Sequence, residues 1–455
     1  MRVVRDTLGE MRVPDDALYG AQTARALVNF SVSGAPLPAP LIKALARVKR
    51  AWAIVHAERA DEKEKARFLA IARAAKEIEE GAYPDQFPVD VYQTGSGTSS
   101  NMNMNEVLAT LAARDTGEPV HPNDDVNRAQ SSNDVFPTAI HLACLEGLHT
   151  GLMPALEDLR RTLEKKANDF SEVVKVGRTH LQDAVPITLG QEFSGYAAQL
   201  ARAEGILREA GAHLHELPLG GTAVGTGMLA PALLVPKAIA ILAREYGLPL
   251  AEAKNHFEAQ AARDALGHFS GALRGLALAL YKIANDIRWL ASGPHCGIGE
   301  ISLPATQPGS SIMPAKVNPV QAESLMQVTA RVLGNDACIA FAAAGGNFEL
   351  NTMMPVMAYS ILESINLLAR AVQSFNDTCA RGITANEGRC RALVEQSLSL
   401  VTAVTPLVGY ERAAALAKEA AESGRPLRAL LEREAGIDPA QISAALDALS
   451  MTKRI

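Results

Sequence analysis

One segment constrains this chain more than any other: residues 258–292, EAQAARDALGHFSGALRGLALALYKIANDIRWLAS. Its helix formers and its three- and four-residue apolar spacing predict one helix of about 35 residues. At 1.5 Å per residue such a helix spans about 50 Å, longer than a small domain is wide. It is apolar on much of its circumference and still carries Arg263, Asp264, Lys282, Asp286 and Arg288. A helix that long and that apolar needs cover on several sides, which implies a large bundle completed by other subunits.

The same spacing recurs elsewhere. Residues 39–81 read as helix, as do 138–168 beyond Pro137, where Leu142, Leu145, Leu148 and Leu152 repeat at steps of three and four. Further helices are predicted over 191–215 and 320–343, with proline kept to their edges. Strand signals are confined to short pieces, 173–176 and the VYQTGS approach at 91–96. The expected fold class is therefore mainly α, in three parts: 1–137, a central long-helix part 138–387, and a smaller helical part 388–455. No internal repeat, low-complexity tract or flexible linker interrupts it.

Composition narrows the function classes. A chain of 455 residues buries a core without disulfides or metals. Its 44 basic and 50 acidic side chains give a net charge of −6, against the basic stripe that nucleic acid requires. Aromatics at 5% leave little for base-stacking platforms. Five cysteines (Cys144, Cys296, Cys338, Cys379, Cys390), odd in number and without CxxC spacing, fit buried free thiols in a reducing compartment. The first residues, MRVVRDTLGEMRVPDD, contain no apolar targeting core, and no run of ~18 apolar residues follows. A soluble, cytoplasmic protein with neither nucleic acid nor membrane as partner is expected.

Four loops between the helices are dense in Gly, Ser, Thr and Asn: TGSGTSSNMNMNE (94–106), HPNDDVNRAQSSND (121–134), GRTHLQDA (177–184) and GSSIMPAKVNP (309–319). Singly, each reads as turn chemistry. Together they describe a site that surrounds a small oxyanion-rich ligand with neutral donors. LGGTAVGTG (219–227) superficially resembles a dinucleotide loop, but no strand signal precedes it and no βαβ unit surrounds it. It is expected to pack beneath the site instead.

GSSIMPAKVNP resembles the signature loop of the fumarase/aspartase superfamily, and TGSGTSSNMNMNE, HPNDDVN, SSNDVFPTA, GRTHLQDA and LGGTAVGTG are each similar to the class II fumarase form of their region. The resemblance covers essentially the whole chain in the family's order. It implies a three-domain fold whose long-helix bundle assembles into a homotetrameric core. Each active site would be built from loops of three subunits, with no metal or other cofactor. The implied reaction is the reversible hydration of fumarate to L-malate, a step of the tricarboxylic acid cycle. By position, Ser310 is implied as the base that removes the proton beside a carboxylate, with Lys316 stabilising its alkoxide. His180, oriented by Glu323, would act on the departing or attacking water. Ser96, Thr98, Ser131, Ser132, Asn133, Thr179, Ser311, Lys316 and Asn318 would hold the dicarboxylate. His121, Asn123 and Asp124 match a second, shallower anion site near the entrance, although HPND is equally a turn and helix-cap sequence.

Two alternatives remain. Aspartases commonly carry Gln in place of His180 and Asn in place of His121, so an aspartate ammonia-lyase is disfavoured at both positions. A catalytically silent structural tetramer predicts loss at Ser310, Lys316, Asn318 or His180, and all four are present. The departures from the fumarase pattern are Ala315 where Gly is usual, Tyr19 for Trp, His256 for Lys, and Glu118 where a basic residue often stands.

Overall fold

The computed structural model describes residues 1–309, 312–313, 316–434 and 436–453. Ser310, Ser311 and Ala315 lie outside the described residues. The chain is mainly helical, with five two-stranded sheets among the described residues. Helices Leu189–Ala212, Asp264–Leu290, Val320–Ala343 and Met354–Thr378 are the longest. The second of these, at 27 residues, is about 40 Å long.

The chain forms two compact units: Met1–Pro154 with Gly205–Ala277 and Thr329–Ala369, and Ala155–Glu204 with Leu278–Val328 and Arg370–Ile455. In the first, helix Ala39–Ala57 packs on Glu62–Glu79 and on Ser132–Gly147. Leu41, Leu45, Val48, Trp52 and Val55 form its fully buried face. In the second, the C-terminal helices close on Val404, Leu416, Leu431 and Ile442. Among the described residues no helix is long and apolar enough to cross a membrane.

Helix Val320–Ala343 has the bounds its spacing predicts, and the 191–215 prediction falls on Leu189–Ala212 and a short 3-10 turn. Other expectations need correction. The 39–81 helix is two helices, because Asp61 caps the second by accepting the Glu64 backbone N–H at 2.9 Å. The long 258–292 segment breaks at Ala262–Arg263 into His256–Ala261 and Asp264–Leu290.

Pro137 does not open a helix. The helix begins at Ser132, where Ser131 and Asp134 form a capping box, and it carries Pro137 inside its second turn. A π-turn at Leu148–Leu152 joins it to Met153–Asp169. The VYQTGS stretch is not a strand. Buried Asp90 organises it instead, accepting N–H bonds from Ser33, Gly34 and Tyr92. The 173–176 strand is real and longer, Val174–Thr179, paired antiparallel with Gln182–Thr188. Of the cysteines, Cys144, Cys379 and Cys390 are buried, whereas Cys296 is exposed and Cys338 half-buried; all five are free.

Candidate active site

In the first unit two helices begin side by side. Thr98 is the first residue of helix Thr98–Thr116, and Ser132 the first of Ser132–Gly147. Their hydroxyls are 2.6 Å apart, and Thr98 Oγ1 lies 2.7 Å from Ser96 Oγ. Gly97 makes this approach possible. It has φ +73°, and a Cβ there would sit 2.3 Å from the Phe136 ring. The positive dipole ends of two helices thus meet a chain of hydroxyls, an arrangement suited to carboxylate oxygens. Ser131 caps the second helix through its Oγ, which accepts the Asn133 N–H at 3.2 Å. The Asn133 side chain donates to the Ala223 carbonyl at 2.8 Å.

Asp134 lies beneath this turn, fully buried, and no sequence argument gave it a role. Its Oδ1 accepts the Ser131 N–H at 3.0 Å, and its Oδ2 accepts those of Gly220 at 2.9 Å and Thr222 at 3.2 Å. The glycine-rich 219–227 loop therefore packs on the start of this helix. Thr222, β-branched, has φ +54°, a strained conformation held by these contacts. A two-residue strand, Glu216–Leu217, does precede the loop and pairs in parallel with Ala251–Glu252. The dinucleotide reading fails for a different reason: two of the loop's N–H groups are spent on a carboxylate of the same chain.

Lys49 is buried in the same unit and donates to Asn127 Oδ1 at 2.9 Å, which also accepts from Asn101 and Asn105. Burial drives its ammonium down to about 7, with the Asp134 charge opposing that shift. Burial likewise pushes the Asp134 carboxyl up to about 6, opposed by the three N–H bonds and by Lys49. The capping-box spacing of Ser131 and Asp134 is legible in the sequence; the pairing with Lys49 is not.

In the second unit His180 and Leu181 form the two-residue turn of the Val174–Thr179/Gln182–Thr188 hairpin, with φ +57° and +60°. Positive φ at both central positions is the turn that matches strand twist, but glycine and asparagine normally occupy it. Holding His180 there is a local cost, of order 1–3 kcal/mol for such a conformation. The strand leading to the turn is firmly anchored: Arg178 grips fully buried Glu300 through two bonds of 3.0 and 2.9 Å, and Lys175 lies 3.3 Å from the same carboxylate. Thr179 and His180 are exposed.

The signature loop is pinched at its base. Gly309 backs so closely onto the Lys316 carbonyl that a Cβ would lie 1.2 Å from its oxygen, and Asn318 Nδ2 donates to the Gly309 carbonyl. Asn318 thus uses one donor to close the loop. Lys316, Asn318 and Glu323 line one open cleft of about 520 Å³ with Arg288 and Trp289. Neither the His180 ring nor the Glu323 carboxylate forms a hydrogen bond within the chain among the described residues, so a single chain does not pair them.

The 121–124 patch is built as a cap. His121 Nδ1 accepts the Asp124 N–H at 3.1 Å and faces the Asp124 carboxylate at 3.2 Å. Its side chain is 56% exposed and that of Asp124 82%. Asn123 is exposed too.

A family model described as lyase matches residues 9–334, and one described as the fumarase C C-terminus matches 400–453. A class II fumarate hydratase of Ralstonia nicotianae is 53% identical over 433 residues, covering 94% of each chain. One of Nitrosomonas europaea is 50% identical over 458 residues, covering 99% of each. Among solved structures, a class II fumarase from Schistosoma mansoni superposes with TM-score 0.94 at 37% identity, covering 99% of both chains. These matches define a lyase. Within that class, the chain belongs to the class II fumarate hydratase family.

Proposed function

We propose that this protein catalyses the reversible hydration of fumarate to L-malate, and that Ser310, His180, Glu323 and Lys316 carry the chemistry. The observation that carries this reading is the meeting of two helix N-termini at Thr98 and Ser132, a neutral, partly buried cradle for one carboxylate. The difficult step in dehydrating L-malate is loss of a proton from the carbon beside a carboxylate. The product is a dianionic aci-carboxylate, so preorganised donors supply the largest share of catalysis. Ser310 takes that proton, and the Lys316 ammonium stabilises its alkoxide. His180, aligned by Glu323, delivers a proton to the departing hydroxide, or removes one from water in the reverse direction. Ser96, Thr98, Ser131, Ser132, Asn133, Thr179, Ser311, Lys316 and Asn318 hold the dicarboxylate. His121, Asn123 and Asp124 form a secondary anion site. No metal or cofactor enters the steps.

The working form in this reading is a cytoplasmic homotetramer of three-part chains (1–137, 138–387, 388–455), with each site drawn from three subunits. Two observations support assembly. Among the described residues His180 and Glu323 find no partner within one chain, and the long helices expose Leu278, Tyr281, Trp289 and Phe341. Fumarate absorbance, followed with purified metal-free protein, tests the reaction. Signal from L-malate and none from L-aspartate is expected. Signal from L-aspartate alone would make the protein an ammonia-lyase, and silence with both would remove the fumarate reading.

A further inference from the structure

Asp134 is the one fully buried carboxylate that touches both the proposed substrate-binding turn and the glycine-rich loop among the described residues. Its two oxygens divide the work. Oδ1 holds the N–H of Ser131, immediately before Ser132 and Asn133, and Oδ2 holds the N–H groups of Gly220 and Thr222. Asn133 returns a second tie to the Ala223 carbonyl. An asparagine there could keep only one side of this division, because its Nδ2 cannot accept a hydrogen bond.

A buried anion directly behind an anion-binding turn opposes the ligand unless a cation offsets it. Lys49 is that cation: buried as well, and bonded to Asn127, whose Nδ2 donates to the Gln130 carbonyl just before Ser131. Lys49 and Asp134 share no direct hydrogen bond, so they are coupled by charge through one polar network.

We propose that Asp134 is a positioning residue for the dicarboxylate, clamping the Ser131–Ser132–Asn133 turn to the 219–227 loop, and that Lys49 is the buried counter-charge of that clamp. The proposal rests on the assignment of Ser131–Asn133 as ligand donors. It predicts that the clamp acts on binding more than on turnover, since it touches no reacting atom.

The test uses the full-length protein and two readouts: KM and kcat for L-malate, and the Kd of succinate, a saturated four-carbon dicarboxylate, by calorimetry. Asp134→Asn should raise both KM and the succinate Kd about tenfold, with a smaller change in kcat. Lys49→Met should lower Tm by leaving the carboxylate unpaired. The double variant Lys49→Met/Asp134→Asn, free of buried charge, should recover most of that Tm while keeping the weakened binding. A double variant that regains wild-type KM and Kd would reduce the pair to a structural charge and overturn the proposal. So would an Asp134→Asn protein within about twofold of wild type on both readouts. If wild type binds succinate yet leaves L-malate unchanged, the fumarate reading fails while the clamp is still decided by calorimetry.

Discussion

The hydroxyl cluster at Thr98 and Ser132 and the hairpin tip at His180 are built on opposite plans. The cluster is complete within its own unit: Ser96, Thr98 and Ser132 satisfy one another, Gly97 fixes their approach, and Asp134 fastens the turn from below. The tip is the reverse. The Arg178–Glu300 pair anchors the strand just below it, while Thr179 and His180 stand exposed and the His180 ring has no hydrogen-bond partner among the described residues. Binding surfaces that must recognise a ligand's charge benefit from being preformed. If another subunit completes His180, as proposed above, activity becomes conditional on assembly.

The largest expected effect tests whether Ser310 and the hairpin tip carry the chemistry. Ser310→Ala and His180→Asn should each lower kcat by about 10²–10⁴-fold with little change in KM, measured by fumarate absorbance. Mixing these two inactive proteins under subunit exchange should restore partial activity; persistent silence would mean that each chain completes its own site. Glu300→Gln should destabilise the second unit by about 3–5 kcal/mol in urea unfolding, because it strands Arg178 and leaves Lys175 with Glu192 as its one carboxylate partner among the described residues. A loss under 1 kcal/mol would show that the tip is not held by its root.

A pH experiment probes the first unit. Burial drives His141 down to about 4 from an ordinary 6.5, with the Arg263 charge acting in the same direction. The unfolded chain therefore takes up a proton between pH 6.5 and 4 that the folded chain refuses. The His141 contribution to stability should be full above that window and fall by roughly 3 kcal/mol as pH drops through it, set against an opposite contribution from Asp134, whose raised carboxyl takes up its proton in the folded chain first. His141→Gln should flatten that limb. Gly97→Ala should cost about 2 kcal/mol, through both positive φ and the Phe136 contact, and should weaken dicarboxylate binding. The smallest effect is expected at His121→Ala. Its ring makes one exposed cap contact, so activity should change by less than about threefold, under 1 kcal/mol.

Several parts of this protein were legible because their signals are local. The 320–343 helix follows from spacing alone, and the capping-box residues Ser131 and Asp134 mark a helix start three residues apart. The same locality explains the errors. Pro137 reads as a boundary, yet it sits inside the second turn, where the helix gives up one backbone hydrogen bond and continues. The 258–292 run keeps its apolar spacing across a break that only the packing of Arg263 reveals; its guanidinium bonds the Ala259, Ala262 and Gln260 carbonyls.

Sequence by itself determined the helical class, the four donor-rich loops and the residue types available for the chemistry, since these depend on periodicity and composition within short windows. Tertiary structure decided what those windows cannot contain. Lys49 and Asp134 are 85 positions apart and Arg178 and Glu300 122 apart, and each pair matters only because burial strips away the water that would otherwise screen it.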